Sequence, residues 1–317
     1  MTTIKSKTFI LITGGAGFIP SSLADSLLKD PSNYVVLIDN FLTGNKDNIP
    51  QHENCKFFHG DVNNLEDISP LFSLYHFDYV FHYAAVVGVK RTLNHPIIVL
   101  DDIQGIKNIL DLSKRTGVKR VFYSSSSEVY GEPVHLPQHE TTTPLNSRLP
   151  YAVVKNVGES YFRSYHQEYG LEYTIFRFFN TFGPKQSEDF VMTKFIQAAL
   201  KGEDITIYGD GMQTRTFCFI DDNIEATKNA LFKNQFCNDV VNIGNSKITS
   251  ILDLAKTIIS LTNSKSKIIH LPPLEDGDMT RRQPDVTKML TLLGKEFTSI
   301  ENGIKKVIES QRFQQLL

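Results

Sequence analysis

The sequence has little of what marks several common protein classes. Its three cysteines, Cys55, Cys218 and Cys237, are odd in number and far apart in 317 residues. They form neither a disulfide framework nor a zinc-binding pattern, which suits a reducing compartment. The net charge is only -2, with Lys and Arg scattered, so there is no basic footprint for nucleic acid. No apolar run is long enough to span a bilayer. The chain enters a strand-like run almost at once, without the apolar stretch and cleavage site of a signal peptide. A cytoplasmic protein with no nucleic-acid or membrane partner is therefore expected. Internal repeats and low-complexity segments are absent. His135 and His139 are four apart, but Pro137 between them opposes a helix, and no metal site is expected there. The chain is 41% hydrophobic and 21% charged, a globular balance, and its length allows one large or two modest domains.

What is present is a succession of short apolar runs that end in chemically useful residues. Phe9-Ile10-Leu11-Ile12 reads as a buried parallel strand. Thr13-Gly14-Gly15-Ala16-Gly17-Phe18-Ile19 follows it, and Ser21 to Leu28 has helical apolar spacing. Glycines between a strand and a helix let the backbone approach a pyrophosphate, which then lies at the helix N-terminus. Pro20 stands where a third glycine is usual; in the first helical turn its missing N–H has no partner to lose. Tyr34 to Asp39 is a second strand ending in an acid, followed by Asn40 and a Thr43-Gly44-Asn45 loop. A carboxylate at Asp39 accepts hydrogen bonds from an adenosine ribose and repels a 2′-phosphate, which favours NAD over NADP.

Phe57 to Val62 is a third strand, carrying Asp61 at its end, and Asp78 to Ala85 a fourth. Small residues at that fourth end let a cofactor lie against the backbone, and His82 is expected to be a core or supporting residue. A helix from about 97 to 116 leads to a fifth strand, Arg120 to Tyr123, which delivers Ser124-Ser125-Ser126-Ser127-Glu128. Tyr151 and Lys155 are four apart and share a helix face. An ammonium near a phenol favours the phenolate, a general base for a sugar or alcohol hydroxyl, and a hydroxyl of the serine run could orient the same oxygen. Alternating strands and helices predict an α/β fold with a Rossmann-type, doubly wound parallel sheet. Ligands bind at the carboxyl ends of such strands, where the glycine turn, Asp39, Asp61, Ala84 and Ser126 all fall.

The expected domains are a dinucleotide-binding domain over residues 1–180, completed by about 219–247, and a smaller, interleaved substrate domain over 181–317. In the second half, helices are expected over 191–200, 221–232, 251–261 and 300–310, and strands over 171–178, 205–208, 215–219 and 240–244.

With these residues in place, the chain resembles the extended short-chain dehydrogenase/reductase family, the nucleotide-sugar epimerases and dehydratases. The resemblance rests on Gly14 to Ile19, Asp39, Gly60-Asp61, His82 to Ala85, the serine run through Gly131, and Pro150-Tyr151 to Lys155. It continues in Arg177 to Pro184, Tyr208 to Gly211, Thr214 to Phe217, Phe219 to Asp222, and Arg281 to Asp285. It implies that NAD is held by Gly14, Gly17, Phe18, Ile19, Asp39, Asn40, Asp61, Val62, Ala84, Ala85, Ser124, Tyr151 and Lys155. Tyr151 would take the proton of a sugar 4-hydroxyl, with Lys155 on the nicotinamide ribose and Ser126 beside the same oxygen. Ser126, Ser127, Asn180 and Arg215 would face the substrate; Arg281 or Arg282 would help hold its diphosphate, for which an Arg fork is suited. The helices near 97–116 and 151–169 resemble the family pair that forms an intersubunit bundle, so a homodimer is implied.

The resemblance also bears on the reaction. Family 4,6-dehydratases carry Asp-Glu where this chain has Ser127-Glu128, and a serine cannot protonate a leaving C6 hydroxyl. Ser-Glu at these positions resembles UDP-glucuronate decarboxylases and a set of less characterised epimerase-like proteins, to which the Val87-Gly88-Val89-Lys90 run is also similar. Glu128 is therefore included with Ser126, Tyr151 and Lys155 among the catalytic candidates. An enzyme that oxidises C4 of a nucleoside-diphosphate sugar and re-reduces it, by epimerisation or decarboxylation, is the leading expectation. A net 4-dehydrogenase and a non-catalytic NAD-binding scaffold are the alternatives, and the intact Ser126, Tyr151 and Lys155 speak against the scaffold.

Overall fold

A computed structural model describes residues 7–272 and 281–315; the side chains of Val89 and Lys90 lie outside the described set. The strand runs assemble as expected into one α/β sheet. β1 (Thr8–Thr13), β2 (Asn33–Asp39), β3 (Cys55–His59), β4 (Tyr79–His82), β5 (Arg120–Ser126) and β6 (Glu172–Phe178) are joined by Asp239–Ile243. The spatial order is Asp239–Ile243, β6, β5, β4, β1, β2, β3. β1 pairs in parallel with both β2 and β4, and β2 with β3 and β4 with β5 likewise. The order reverses between β1 and β4, and a crevice at the carboxyl ends of the strands is the usual consequence. The central strands are buried on both faces: Ile10 to Ile12, Val35 to Ile38 and Val121 to Phe122 are fully enclosed, as continuous apolar runs of a covered parallel sheet must be.

The helices are α1 (Phe18–Leu27), α2 (Leu65–Tyr75), α3 (Val89–Asn94), α4 (Pro96–Thr116) and α5 (Pro150–Tyr169). α4 and α5 both start with Pro in the first turn and stop at a left-handed glycine, Gly117 and Gly170, the usual start and stop signals. Val99, Ile106, Ile109 and Leu110 of α4 and Val154 and Phe162 of α5 enter one core with β1 to β6. The fourth strand is shorter than its apolar run suggests. It ends at His82 because Thr13 Oγ1 takes the N–H groups of both Tyr83 and Ala84, turning the chain out of the sheet.

The chain divides into two compact units whose segments alternate. The first is Met1–Val129, Ser147–Arg177 and Lys228–Val241; the second is Tyr130–Asn146, Phe178–Thr227 and Asn242–Leu317. Among the described residues, the second unit contains three two-stranded pairs and the helices Val191–Lys201, Ile251–Thr262, Thr287–Leu293 and Ile300–Ile308. The expected strand over 215–219 is two shorter ones, Thr214–Thr216 and Cys218–Phe219, each with a different partner strand. A buried polar knot ties the second unit together. Asn242 donates its N–H to Glu140 and its side-chain amide to the Gln138 carbonyl, and accepts from the Tyr130 hydroxyl. His139, Glu140 and Asp285 bring ligand-type atoms within 4.8 Å of one another. Their recorded partners are protein groups: Thr141 on His139, Asn242 on Glu140 and Thr287 on Asp285.

Candidate active site

The glycine turn is shaped for close approach. Gly14 has φ +71°, and a Cβ there would lie 2.9 Å from Ala84 Cα, so only glycine lets the turn pack on the end of β4. Gly17 caps α1 without a side-chain hydrogen bond, and the first turn carries no acidic residue. The N–H groups and positive dipole end of α1 are thus left to an anion. Pro20 is the third helical residue and is buried, where its lack of an N–H costs nothing. Phe18 and Ile19 are half-buried in the same turn.

Asp39 leaves β2 with both carboxylate oxygens engaged. Oδ2 accepts from Ala16 N–H at 3.0 Å and Oδ1 from Phe41 N–H at 2.7 Å. Burial raises its pKa, opposed by these two bonds. Gly44 packs on it, since a Cβ there would sit 2.8 Å from Oδ1. Asn40 is exposed and donates to Asp61 Oδ2. Asp61 Oδ1 accepts from Asn63 N–H, and the buried Val62 offers its carbonyl to Asn108. Strand ends, the glycine turn and both acids are therefore linked by short hydrogen bonds.

The polar centre lies at the ends of β4 and β5. Thr13 Oγ1 accepts two backbone N–H groups, so its own hydrogen goes to His82 Nδ1, 2.9 Å away. His82 is a supporting residue, as expected: it is 2% exposed, and burial first and Lys155 second push its pKa down to about 3. Lys155 is 3% exposed. Its one hydrogen bond among the described residues is to Ser124 Oγ at 3.3 Å. Burial lowers its pKa to about 8, with Asp102 acting in the other direction. Its Nζ stands 5.6 Å from the Tyr151 ring centroid and 5.0 Å from that of Tyr123.

Tyr151 is half-buried in the first turn of α5, and Ser126 ends β5. Ser126 Oγ accepts from Glu128 N–H at 3.2 Å, which leaves the hydroxyl hydrogen to be donated elsewhere. Ser127 is 2% exposed and Glu128 half-buried. Ala84 and Ala85 are half-buried after β4. The first unit thus gathers the glycine turn, Asp39, Asn40, Asp61, Val62, Ala84, Ala85, Ser124, Ser126, Tyr151 and Lys155 at one set of strand ends.

The second unit carries the remaining candidates. The Asn180 carbonyl accepts from Cys218 N–H at 2.9 Å, on the strand that follows the Thr214–Thr216 strand holding Arg215. Arg215 is 7% exposed, donates to the Thr214 carbonyl and stands opposite Thr249. Arg281 is exposed and Arg282 half-buried.

Three supporting residues escaped the sequence reading. Asp102 accepts Val86 N–H at 2.8 Å. Glu159 is fully buried and binds Ser125, Arg163 and Arg177. Gly158 passes so close to Tyr123 that any Cβ would strike its hydroxyl. Asp102 had a signal: it lies three after Val99 and four before Ile106, both enclosed, so it falls on the buried stripe of α4.

These groups suit a dinucleotide: a glycine turn that only a missing Cβ allows, an uncapped helix start and an oriented acid one strand over. The family model described as the NAD dependent epimerase/dehydratase family matches residues 10–244. The chain belongs to that family. It is 37% identical over 316 residues to UDP-glucuronic acid decarboxylase 1 of Danio rerio, covering 96% of this chain and 73% of the relative. Among solved structures, UDP-glucose 4-epimerase of Thermotoga maritima with UDP-glucose has a TM-score of 0.90 at 32% identity, covering 97% and 99% of the two chains. UDP-glucuronic acid 4-epimerase of Bacillus cereus, in complex with UDP-glucuronic acid and NAD, has a TM-score of 0.87 at 30% identity, covering 98% and 100%. The chain is therefore an NAD-dependent enzyme of the extended short-chain dehydrogenase/reductase family, among nucleotide-sugar epimerases, decarboxylases and dehydratases. The scaffold alternative falls on this membership. No helix among the described residues is long and apolar enough to cross a membrane.

Proposed function

We propose that this enzyme oxidises C4 of a nucleoside-diphosphate sugar and re-reduces the 4-keto sugar, with epimerisation or decarboxylation as the net reaction. The observation that carries the reading is the buried Lys155 ammonium beside the Tyr151 ring, on a helix that also faces Ser124. A cation there favours the phenolate, and Tyr151 then takes the proton of the 4-hydroxyl while Ser126 donates its free hydrogen to the same oxygen. Bound NAD supplies the hydride acceptor and donor for C4. Gly14, Gly17, Phe18 and Ile19 receive the pyrophosphate, Asp39 and Asn40 the adenosine ribose, and Lys155 and Ser124 the nicotinamide ribose. Asp61, Val62, Ala84 and Ala85 line its path along the strand ends.

Asn180, Arg215 and Arg281 are assigned to the substrate diphosphate, and Ser127 and Glu128 to the sugar. Ser127 has no acid to give a C6 hydroxyl, which argues against a 4,6-dehydratase. A uronic acid sugar is the first candidate, because the decarboxylase and the Bacillus cereus epimerase above are both named for UDP-glucuronate. The three relatives named above are a decarboxylase and two epimerases, which favours re-reduction over net 4-dehydrogenation.

The test is mass spectrometry of products from UDP-glucuronate and UDP-glucose with NAD. Loss of carbon dioxide identifies a decarboxylase, and an unchanged mass with a new chromatographic position an epimerase. Loss of two hydrogens with accumulating NADH would replace the reading by a net dehydrogenase. A homodimer through α4 and α5 is part of the proposal. Ile97 and Ile98 of α4 and Val153 and Tyr169 of α5 are exposed apolar residues on these two helices. A monomer in sedimentation at micromolar concentration would remove the dimer without touching the chemistry.

A further inference from the structure

Three segments that carry site candidates converge on the edge strand Asp239–Ile243, where Asn242 is fully buried. Tyr130 ends the 3-10 turn Ser127–Tyr130, which carries Ser127 and Glu128, and its hydroxyl donates to Asn242 Oδ1 at 2.7 Å. Arg281 and Arg282 lead into Gln283, Pro284 and Asp285. Asn242 Nδ2 donates to the Asp285 carbonyl at 3.3 Å and to the Gln138 carbonyl at 2.9 Å. Gln138 and Pro284 are bridged in parallel: Gln138 N–H donates to the Gln283 carbonyl at 2.7 Å, and Asp285 N–H to the Gln138 carbonyl at 2.8 Å. Asn180 follows Phe179, whose N–H donates at 2.8 Å to the carbonyl of Ile243, the neighbour of Asn242. The Asn242 N–H goes to Glu140 Oε1 at 2.9 Å.

We propose that Asn242 is a positioning residue for the substrate: its side-chain amide joins the Arg281–Arg282 segment to the turn that carries Ser127 and Glu128.

Only an amide serves all three neighbours. Its oxygen takes the Tyr130 hydroxyl hydrogen while its two N–H bonds face two carbonyls. Aspartate would set a second oxygen against both carbonyls, and leucine would remove all three bonds. The packing around the joint is equally close. A Cβ on Gly244, two residues after Asn242, would lie 2.8 Å from Phe179 Cβ and 3.0 Å from Pro284 Cγ. The segments so joined are turns and irregular chain, which take their position from such ties rather than from a sheet. A site works only when its groups stay within about 0.5 Å of the productive geometry. A buried, hydrogen-bonded joint between the two segments supplies that constraint: the diphosphate candidates and the sugar candidates then move as one piece.

The inference rests on the proposed assignment of Arg281 and Asn180 to the substrate diphosphate, but its first readout needs no turnover. UDP and NAD are titrated calorimetrically into the wild-type chain and Asn242→Asp, with folding checked by circular dichroism. UDP should bind the variant about tenfold more weakly, the scale of one buried hydrogen bond, while NAD binds as before. Tyr130→Phe is the second arm. It removes the tie to the Ser127–Tyr130 turn and keeps both the ring and the arginine side of the joint. Its kcat should fall about tenfold, with UDP affinity and KM within about twofold of wild type. A merely structural Asn242 would lower the unfolding midpoint of both variants without this division between binding and turnover. UDP affinity within about twofold of wild type in a folded Asn242→Asp protein, or an unchanged kcat in Tyr130→Phe, overturns the proposal. If Asn242→Asp does not fold, Tyr130→Phe decides alone. UDP binding that weakens as expected in a chain that turns over no nucleotide sugar supports Asn242 and removes the proposed reaction instead.

Discussion

One turn apart on α5, Lys155 and Glu159 are both buried charges, and both reach a serine of β5. They are treated in opposite ways. Glu159 is saturated: Oε1 accepts from Ser125 at 2.7 Å and Arg177 Nε at 2.8 Å, and Oε2 from Arg177 Nη2 at 2.7 Å and Arg163 Nη2 at 2.8 Å. Its pKa falls despite burial, because the Arg177 fork outweighs desolvation with help from Ser125 and Arg163. Among the described residues, Lys155 has a single long bond to a neutral hydroxyl, and burial dominates its titration. A saturated charge is a brace, with no bonding capacity left for a ligand. An under-satisfied one holds donors in reserve and is stabilised when a ligand arrives. Gly158 between them lets the Tyr123 ring lie against the helix.

The largest effect is expected at the reactive end. Tyr151→Phe should lower turnover by about 10²–10⁴-fold, the usual cost of losing a general base, with NAD binding and thermal stability near wild type. Paired measurement of turnover and bound dinucleotide checks it. A variant that keeps more than about a tenth of the rate would put the base elsewhere and detach Lys155 from the chemistry.

At the brace the loss should appear in stability. Glu159→Gln leaves Arg177, itself 1% exposed, without its carboxylate, and breaking one side of a buried pair costs about 3–5 kcal/mol. Denaturant unfolding of the variant measures it. A loss of under about 1 kcal/mol, the scale of surface pairs, would mean that the brace contributes little.

Lys155 should behave in the reverse sense. Its folded pKa of about 8 lies below the ordinary 10.5, so between these values the unfolded chain binds a proton that the folded chain does not. Stability should therefore rise with pH across that window, and the buried charge should cost up to about 3 kcal/mol below it. Lys155→Met should be as stable as wild type or more so at neutral pH, the difference closing by about pH 10.5, while NAD binding is lost. Unfolding curves from pH 7 to 10.5 test both halves. Equal losses of stability in Lys155→Met and Glu159→Gln would erase the contrast between the two charges.

Much of the contrast could not be read from the chain alone, for physical reasons. The strand ends were legible because burial on both faces writes continuous apolar runs, and a residue that breaks the run marks the end. Gly14, Asp39, Asp61 and Ser126 all follow such runs. Tyr151 and Lys155 were legible through helical spacing. Thr13, Glu159 and Arg177 were not seen as partners because their roles depend on contacts between elements distant in sequence: Thr13 meets His82, and Glu159 meets both Ser125 and Arg177. The single expected strand over 215–219 became two for the same reason, since neither half shares a partner strand. Asp102 sat on a readable stripe, but an acid there looks like an exposed helix residue until Val86 is known to face it.

The smallest effect tests the other end of the site, where Asp39 combines both strategies. Its two oxygens already serve Ala16 and Phe41 N–H groups at 3.0 and 2.7 Å, yet its charge is also the feature that should repel a ribose 2′-phosphate. Asp39→Asn separates the two functions. The amide keeps one acceptor and turns a donor toward the other N–H, so the loop loosens and NAD binds more weakly. Repulsion of the phosphate disappears at the same time, so NADP gains relative to NAD. A fall of about tenfold in the NAD-to-NADP affinity ratio, near 1.4 kcal/mol, is expected. Gly44→Ala is the complementary probe: its methyl would press within 2.8–2.9 Å of both carboxylate oxygens and displace the acid with its charge intact. That variant should weaken NAD while NADP stays disfavoured. Calorimetric titration of both dinucleotides against the three proteins decides the matter. Equal NAD and NADP affinities in the wild-type chain would show that the Asp39 charge is spent on Ala16 and Phe41 alone, making it a brace like Glu159.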